Sequence, residues 1–145
     1  PDRIQAPCPY NGFCGGCQWQ HIQYAAQLSY KKEHLEDALE HIGGIKDVKV
    51  HKVLPSEAVF GYRNKMEFSF SDKKWLTKDE LNDQTKISKD FALGLHVPKV
   101  YDKILDIDEC FLQYEMSNDI LNFTRTFFQE RKKSNITGKI PYPRF

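Results

Sequence analysis

Apolar residues recur at helical spacing in two stretches of the chain, 24–42 and 117–133. In the first stretch the repeating positions are Leu28, Leu35, Leu39 and Ile42. In the second, Ser117 is a suitable N-cap, and the predicted buried stripe consists of Ile120, Phe123 and Phe127. Both stretches therefore predict amphipathic helices that pack one face against a core.

Alternation of apolar and polar residues predicts strands, of which the clearest covers 62–71. One face of this segment is mostly apolar, whereas the other begins with Arg63 and Lys65. Further strands are predicted over 48–53, 91–97 and 104–107. The polar segment 72–90 predicts an exposed excursion that includes Lys74, with Thr77 and Glu80 at the spacing of a helix-capping pair. Together the elements predict an α+β fold with a mostly antiparallel sheet and two main helices.

The chain has 145 residues, with 21 basic and 20 acidic side chains and 13% aromatic residues. This length and aromatic content indicate one folded domain with a core. The balanced charge neither establishes nor excludes nucleic-acid binding. No run of about 20 apolar residues occurs, so no membrane-spanning helix is expected. Because the chain starts at Pro1 and stops at Phe145, we expect a fragment, with a domain over 1–133 and a linker over 134–145.

Three of the four cysteines, Cys8, Cys14 and Cys17, lie close together, and Cys110 follows after 92 further residues. Gly15 and Gly16 would let this loop turn its backbone N–H groups toward a negatively charged centre. Three ligands from one loop and one remote ligand are typical of iron–sulfur proteins. A four-cysteine zinc site and a set of disulfides stay open, although zinc sites usually repeat the Cys-x2-Cys pair and disulfides are typical of smaller secreted domains.

The sequence contains no glycine-rich nucleotide loop, no phosphate-binding loop and no His-based metal motif. Its five histidines are scattered, and four thiols that hold a cluster leave no cysteine to act as a nucleophile. We therefore expect the chain to be catalytically inert by itself.

The cysteine loop resembles that of the bacterial uracil-C5 RNA methyltransferases that carry a 4Fe–4S cluster. The loop reads Cys-x5-Cys-Gly-Gly-Cys-Gln-Trp-Gln-His over 8–21, and three later stretches agree in the same order, 62–65, 94–96 and 106–113. The resemblance implies the central domain of such an enzyme. It also implies that a cluster held by Cys8, Cys14, Cys17 and Cys110 joins the cysteine loop to the end of the sheet.

The resemblance implies a larger enzyme around this domain. An oligonucleotide-binding barrel would precede it, and a domain that binds S-adenosylmethionine and carries the catalytic cysteine would follow it. The catalytic residues of that family map onto none of the positions of this chain. Since the cluster-bearing members mostly act on ribosomal RNA, the resemblance implies 23S ribosomal RNA as the substrate. We further expect a cytoplasmic monomer.

By the same resemblance, this domain would grip RNA while the target base is flipped toward the catalytic domain. Arg63 and Lys65 are the first candidates for phosphate contacts, because cations on a rigid strand fix the register of RNA. The next candidates combine aromatic and hydrogen-bonding groups beside the cysteines: Gln18, Trp19, Gln20 and His21. The opposing interpretation is an ordinary exposed sheet face, with Trp19 packing around the metal centre.

Two functions from other classes stay open at this point. One is an iron–sulfur electron-transfer protein, and the other is a zinc-stabilised nucleic-acid-binding module.

Overall fold

A computed structural model describes residues 1–82 and 89–133 of the chain. It contains three α-helices, α1 (Tyr24–Asp37), α2 (Lys78–Asn82) and α3 (Glu115–Lys133). A π-helical segment, Ala38–Ile42, continues α1. The four strands are β1 (Ser69–Ser71), β2 (Lys74–Trp75), β3 (Ala92–Val97) and β4 (Val100–Asp106). The predicted linker over 134–145 lies outside the described residues.

The strands form one sheet in the order β1-β3-β4-β2. β3 pairs antiparallel with both β1 and β4, and β2 adds to the far edge parallel to β4. The predicted α+β class with a mostly antiparallel sheet is therefore confirmed. None of the described helices is long and apolar enough to cross a bilayer.

β3 and β4 are joined by a two-residue turn, Pro98 and Lys99. Proline at the first turn position sets φ near −65°, and where the second position has a positive φ it is usually glycine or asparagine. Here that position is Lys99, at φ 65°. Left-handed backbone at a residue with a Cβ costs roughly 1 kcal/mol, which the surrounding hairpin must offset.

The central strand pair approaches most closely at Gly94. A Cβ at this position would lie 2.0 Å from the carbonyl oxygen of Leu105 on β4. Only glycine therefore allows β3 to lie at this distance from β4.

Two side chains at the end of the sheet, Leu105 and Ile107, are almost fully buried, at 1% and 2% exposure. Together with Val97 they form a core cluster. Tyr10 and Phe13 of the cysteine loop pack against this cluster. The hydrophobic core is thus continuous with the loop that carries the first three cysteines.

The first predicted helix is confirmed, but its apolar stripe is not buried. Leu35 and Ile42 are 50% and 87% exposed, and α1 contains no buried residue. Its contacts go to the N-terminal segment instead: the Tyr30 hydroxyl donates to Asp2 at 2.8 Å, and Trp19 packs edge-on against Tyr30. Periodicity predicted the helix correctly, because it depends on local spacing, whereas burial depends on what the chain places opposite.

The predicted buried stripe of the last helix is wrong. α3 begins at Glu115, so that Ser117 lies inside its first turn, and Tyr114 supplies the first carbonyl. The stripe residues Ile120, Phe123 and Phe127 are 60%, 73% and 38% exposed. The buried face instead carries Leu121 and Arg125, at 4% and 8% exposure. Polar contacts to the end of β4, described below, fix this rotation of the helix.

Two strand predictions also need correction. Residues 48–53 form no strand, and of the segment 62–71 only Ser69–Ser71 is a strand. Arg63 forms an isolated bridge with Gln113, and its N–H donates to the Leu112 carbonyl at 2.8 Å. The early part of the segment therefore pairs with the chain after β4 and not with the sheet.

The first part of the polar excursion, residues 72–82, contains strand β2 and helix α2. The Glu80 N–H donates to the Thr77 hydroxyl at 3.3 Å, and the Thr77 N–H donates to the Glu80 carboxylate at 2.9 Å, which confirms the capping pair. Lys74 lies in β2 and not in a solvated loop. Its ammonium group lies 2.9 Å from Glu80 and 3.7 Å from Asp106, and its side chain is 15% exposed.

Candidate metal centre and nucleic-acid surface

Successive turns fold the cysteine loop. Asn11 N–H donates to the Cys8 carbonyl, and the N–H groups of Phe13 and Cys14 both donate to the Tyr10 carbonyl, at 3.1 and 2.9 Å. Gly12 has a φ of 90°, a conformation that a residue with a Cβ rarely adopts. These turns bring three cysteines to one side of the loop.

All four cysteines are half-buried free thiols, and they line a single cavity. Its remaining walls are largely apolar and include Leu95, Ile107 and Leu112. Residues from the start of the chain and from the end of β4 therefore converge on one site, as the sequence analysis predicts.

Burial raises the pKa of the thiols of Cys8, Cys14 and Cys17, and the neighbouring cysteines raise it further. Hydrogen-bond donors act in the opposite direction. Gly16 N–H donates to Cys14 Sγ at 3.3 Å, and Gln20 Nε2 donates to Cys17 Sγ at 3.2 Å. Backbone amides of Tyr10 and Asn11 interact with the Cys8 thiol. The site thus favours neutral thiols unless a cationic centre compensates the thiolate charge.

Helix α3 positions the remote cysteine. Cys110 N–H donates to Asn118 Oδ1 at 2.9 Å, and Asn118 Nδ2 donates to the Cys110 carbonyl at 3.4 Å. Gln113 Nε2 also donates to Asn118 Oδ1, at 2.5 Å. One asparagine side chain therefore satisfies both backbone groups of Cys110.

One helical turn further along, Asn122 and Arg125 hold the preceding residues. Asn122 Nδ2 donates to the Asp108 carbonyl at 2.9 Å. The Arg125 guanidinium donates to the carbonyls of Leu93 and Ile107 and lies 3.2 Å from the Asp106 carboxylate. Sequence reasoning missed these residues, although the signal was present: Asn118, Asn122 and Arg125 recur at helical spacing.

The number and spacing of the four cysteine thiols determine which metal centre the cavity could hold. Among residues 1–82 and 89–133, no three His, Cys, Asp or Glu side chains converge closely enough to hold one ion. A 4Fe–4S cluster binds each thiolate to a different iron, so that its ligands stand farther apart than those of a single zinc. Four thiols around an apolar cavity, with N–H groups directed at three of the sulfurs, fit such a cluster.

Four of the six predicted RNA contacts line one groove. This groove, called here the aromatic groove, contains Gln18, Trp19, Gln20 and Arg63, together with the exposed rings of Phe60 and Tyr62. Trp19 packs against α1, 5.6 Å from the His34 ring, and does not line the cysteine cavity. Gln20 braces the cysteine loop, because its Oε1 also accepts from Cys8 N–H at 3.3 Å.

A second groove, called here the basic groove, adjoins the first. Its charged lining consists of Arg63, Lys65, Glu67 and Lys99, with His96 beside them. The two grooves share Gly16, Gln18 and Arg63. The sixth candidate, His21, is half-buried and lines neither groove, and its carbonyl accepts from Ile4 N–H at 3.0 Å. Five of the six candidates therefore line one continuous surface.

Fold and site together define an α+β segment in which a four-cysteine cavity lies beside a basic and aromatic surface. No protein-family model matches the chain. It is 46% identical over 132 residues to an uncharacterized RNA methyltransferase of Chlorobaculum tepidum. It is also 41% identical over 136 residues to one of Bacteroides thetaiotaomicron and 40% identical over 126 residues to one of Porphyromonas gingivalis.

These matches cover 83–94% of this chain but only 26–30% of the relatives' own length. The chain thus fits a bacterial RNA methyltransferase family and corresponds to one part of its members' length. The chain spans less than a third of the length of these curated relatives.

Proposed function

We propose that this chain is the iron–sulfur, RNA-binding segment of an S-adenosylmethionine-dependent RNA (uracil-5-)-methyltransferase that acts on 23S ribosomal RNA. The observation that carries the proposal is the convergence of Cys8, Cys14, Cys17 and Cys110 on one cavity. The names of the relatives support RNA methylation by the longer protein. S-adenosylmethionine and the catalytic residues belong to that longer protein, which we expect to be a cytoplasmic monomer.

In this proposal the four cysteines hold a 4Fe–4S cluster. When bound, the cluster would supply iron–thiolate bonds to the three loop cysteines and to Cys110, and so would join the loop to the chain that follows β4. Transfer of a methyl group to uracil needs no electron, so we propose a structural role. The protein contributes N–H groups that stabilise thiolate charge and an apolar wall that keeps water away from the sulfurs.

The proposed RNA surface is the pair of adjoining grooves. Arg63 lies where they meet, so its guanidinium is placed to contact a phosphate in either one. The exposed Phe60 and Tyr62 rings, at 37% and 57% exposure, offer stacking surfaces for unpaired bases. Gln18, exposed between the grooves, adds a hydrogen-bonding amide. Single-stranded RNA is commonly bound through such a combination of cations and aromatic rings.

The first test is the content of iron, sulfide and zinc, with a visible spectrum, in protein purified without oxygen. About four irons and four sulfides per chain, with a broad brown absorbance, are expected. One zinc and no iron would reject the cluster and favour a zinc-stabilised module. Reversible redox chemistry without affinity for RNA would favour an electron-transfer protein.

The structural role is tested with Cys110→Ser. Without its fourth thiolate the protein should lose iron and unfold at lower temperature, because the loop and the sheet end lose their crosslink. Glu57→Gln, at an exposed position outside the cavity, is the control and should retain both iron and stability. A Cys110→Ser protein that lacks a cluster yet retains full thermal stability would disprove the structural role.

RNA binding is tested separately with Arg63→Ala. Affinity for single-stranded RNA should fall, while Lys49→Ala, at an exposed position outside both grooves, should leave it unchanged. Equal affinities for the two variants would reject the groove surface.

A further inference from the structure

The basic groove contains a third cation besides Arg63 and Lys65. Lys99 lies at the tip of the β3–β4 hairpin and is exposed, and it lines the groove opposite Arg63 and Lys65. Its φ of 65° is the left-handed conformation in which glycine or asparagine would cost less. The turn therefore holds a flexible cationic side chain on a strained but well-defined backbone position.

The cysteine loop supports this turn directly. A Cβ at Gly15 would lie 3.2 Å from the His96 carbonyl oxygen and 3.5 Å from the Pro98 ring. Ser69 Oγ lies 3.3 Å from His96 Nε2 on the neighbouring strand. The hairpin tip is thus held between the glycine pair of the loop and β1, so that the position of Lys99 relative to the cysteines is fixed.

The charge of the groove is positive but partly compensated. Arg63, Lys65 and Lys99 face one carboxylate, Glu67, which lies 3.0 Å from Lys65 Nζ. Because both members of that ion pair are exposed, at 81% and 69% of their side chains, the pair competes only weakly with a polyanion. A groove that is lined by three cations and has glycines on its floor suits a sugar–phosphate backbone.

We propose that the basic groove is the path of the RNA sugar–phosphate backbone and that Lys99 is a phosphate contact. This inference rests on the proposed RNA-binding function and extends it to the hairpin tip. Bases would then turn toward the aromatic groove, which joins the path at Arg63 and Gln18. The left-handed backbone at Lys99 would thus place a positive charge in the groove at some cost in local backbone stability.

The test separates charge from backbone strain. Lys99→Gly removes the cation and relieves the left-handed conformation, so the melting temperature should stay the same or rise. Affinity for a single-stranded oligouridylate of about 10 nucleotides should nevertheless fall about fivefold at low salt. The slope of log affinity against log salt should decrease by about 0.7, which corresponds to one phosphate contact on a single strand.

Two further variants sharpen the result. Glu67→Gln removes the carboxylate of the groove and should tighten binding, a gain that misfolding does not produce. Lys49→Ala removes an exposed lysine outside both grooves and should change neither the affinity nor the salt slope.

The outcomes are distinguishable. If the unsubstituted chain binds the oligouridylate and Lys99→Gly behaves like Lys49→Ala, the backbone path is wrong while RNA binding stands. If the unsubstituted chain does not bind the oligouridylate at any salt concentration, both the path and the proposed RNA-binding role fail.

Discussion

The backbone N–H of Asp108 donates a hydrogen bond to the Tyr10 hydroxyl at 3.1 Å, across 98 positions of sequence. Tyr10 lies between Cys8 and Cys14 in the loop, and Asp108 lies just before Cys110. The two parts of the cysteine site are therefore fastened by protein groups as well as by any metal that they hold. Burial raises the pKa of the Tyr10 hydroxyl, whose ordinary value already leaves the group neutral at physiological pH.

Tyr10→Phe tests this fastening. The ring keeps its packing on the core while the Asp108 N–H loses its acceptor, so we expect the free energy of unfolding to fall by about 1 kcal/mol. Urea unfolding of the metal-free protein measures the change. Tyr114→Phe, at an exposed position, is the control and should have no effect. Identical unfolding curves for the two variants would show that the bond contributes nothing.

Asn118 of α3 is hydrogen-bonded to the backbone of Cys110, so its substitution tests how much this link stabilises the protein. In Asn118→Leu the Cys110 N–H loses its acceptor, while the Cys110 carbonyl still accepts from Gln113 N–H, and we expect a loss of about 1–2 kcal/mol in unfolding free energy. Asn118→Asp keeps the acceptor for Cys110 N–H and should lose less. Chemical denaturation orders the two variants, with Asp119→Ala on the exposed side of the helix as the control. The reverse order would contradict the hydrogen-bonding role.

Arg125 is the most connected cation in the described part of the chain, and its side chain is 10% exposed. Arg125→Lys keeps the charge but cannot span the carbonyls of Leu93 and Ile107 together with the Asp106 carboxylate. We expect a loss of about 1–2 kcal/mol, because the Ile107 carbonyl loses its donor, whereas the Asp106 carboxylate keeps Leu93 N–H and the Leu93 carbonyl keeps Ile107 N–H. Arg3→Lys, at an exposed site, should change stability little. Similar melting temperatures for both variants would rule out the network.

The stability of the folded protein should depend on pH through the carboxyl group of Glu80. Burial alone would raise the pKa of this carboxyl group, but hydrogen bonds from Lys74 and Thr77 outweigh it and hold the pKa below its ordinary value. A depressed folded-state pKa adds stability above the pKa of the unfolded chain, and this contribution is lost as the pH falls through the folded-state pKa. Glu80→Gln should therefore destabilise the protein by about 1 kcal/mol at pH 7.

The difference between Glu80→Gln and the unsubstituted protein should be smaller at about pH 3 than at pH 7, because acid protonates the carboxyl group and removes the charge that Lys74 and Thr77 stabilise. Thermal unfolding at both pH values measures it, with the exposed Glu57→Gln as the control. A difference that persists unchanged at low pH would mean that the charge of Glu80 is not its source.

The elements that were predicted correctly depend on neighbours in sequence. The helix spacing over 24–42, the alternation around Leu93 and Leu95, and the capping pair of Thr77 and Glu80 all reflect local geometry. The four cysteines that the spacing singled out line one cavity, and their role as cluster ligands stays a prediction.

The errors concern partners that are distant in sequence. Periodicity around Phe123 predicted a buried face, but the helix is oriented by hydrogen bonds that join Asn118 to Cys110 and Arg125 to the carbonyl of Ile107, both after β4. Likewise, Arg63 alternates as a strand residue should, yet it pairs with Gln113. A local pattern carries no information about which of two surfaces a distant segment will cover.

The separation of Cys17 from Cys110 by 92 residues has a consequence for biosynthesis. At a synthesis rate of about 5–20 residues per second, the loop emerges roughly 5–20 s before the strand end that completes the cavity. During that interval the first three thiols lack the walls supplied by Leu95, Ile107 and Leu112. The nascent chain is therefore at its most vulnerable to oxidation before Cys110 has been made, and a slower ribosome lengthens the exposure.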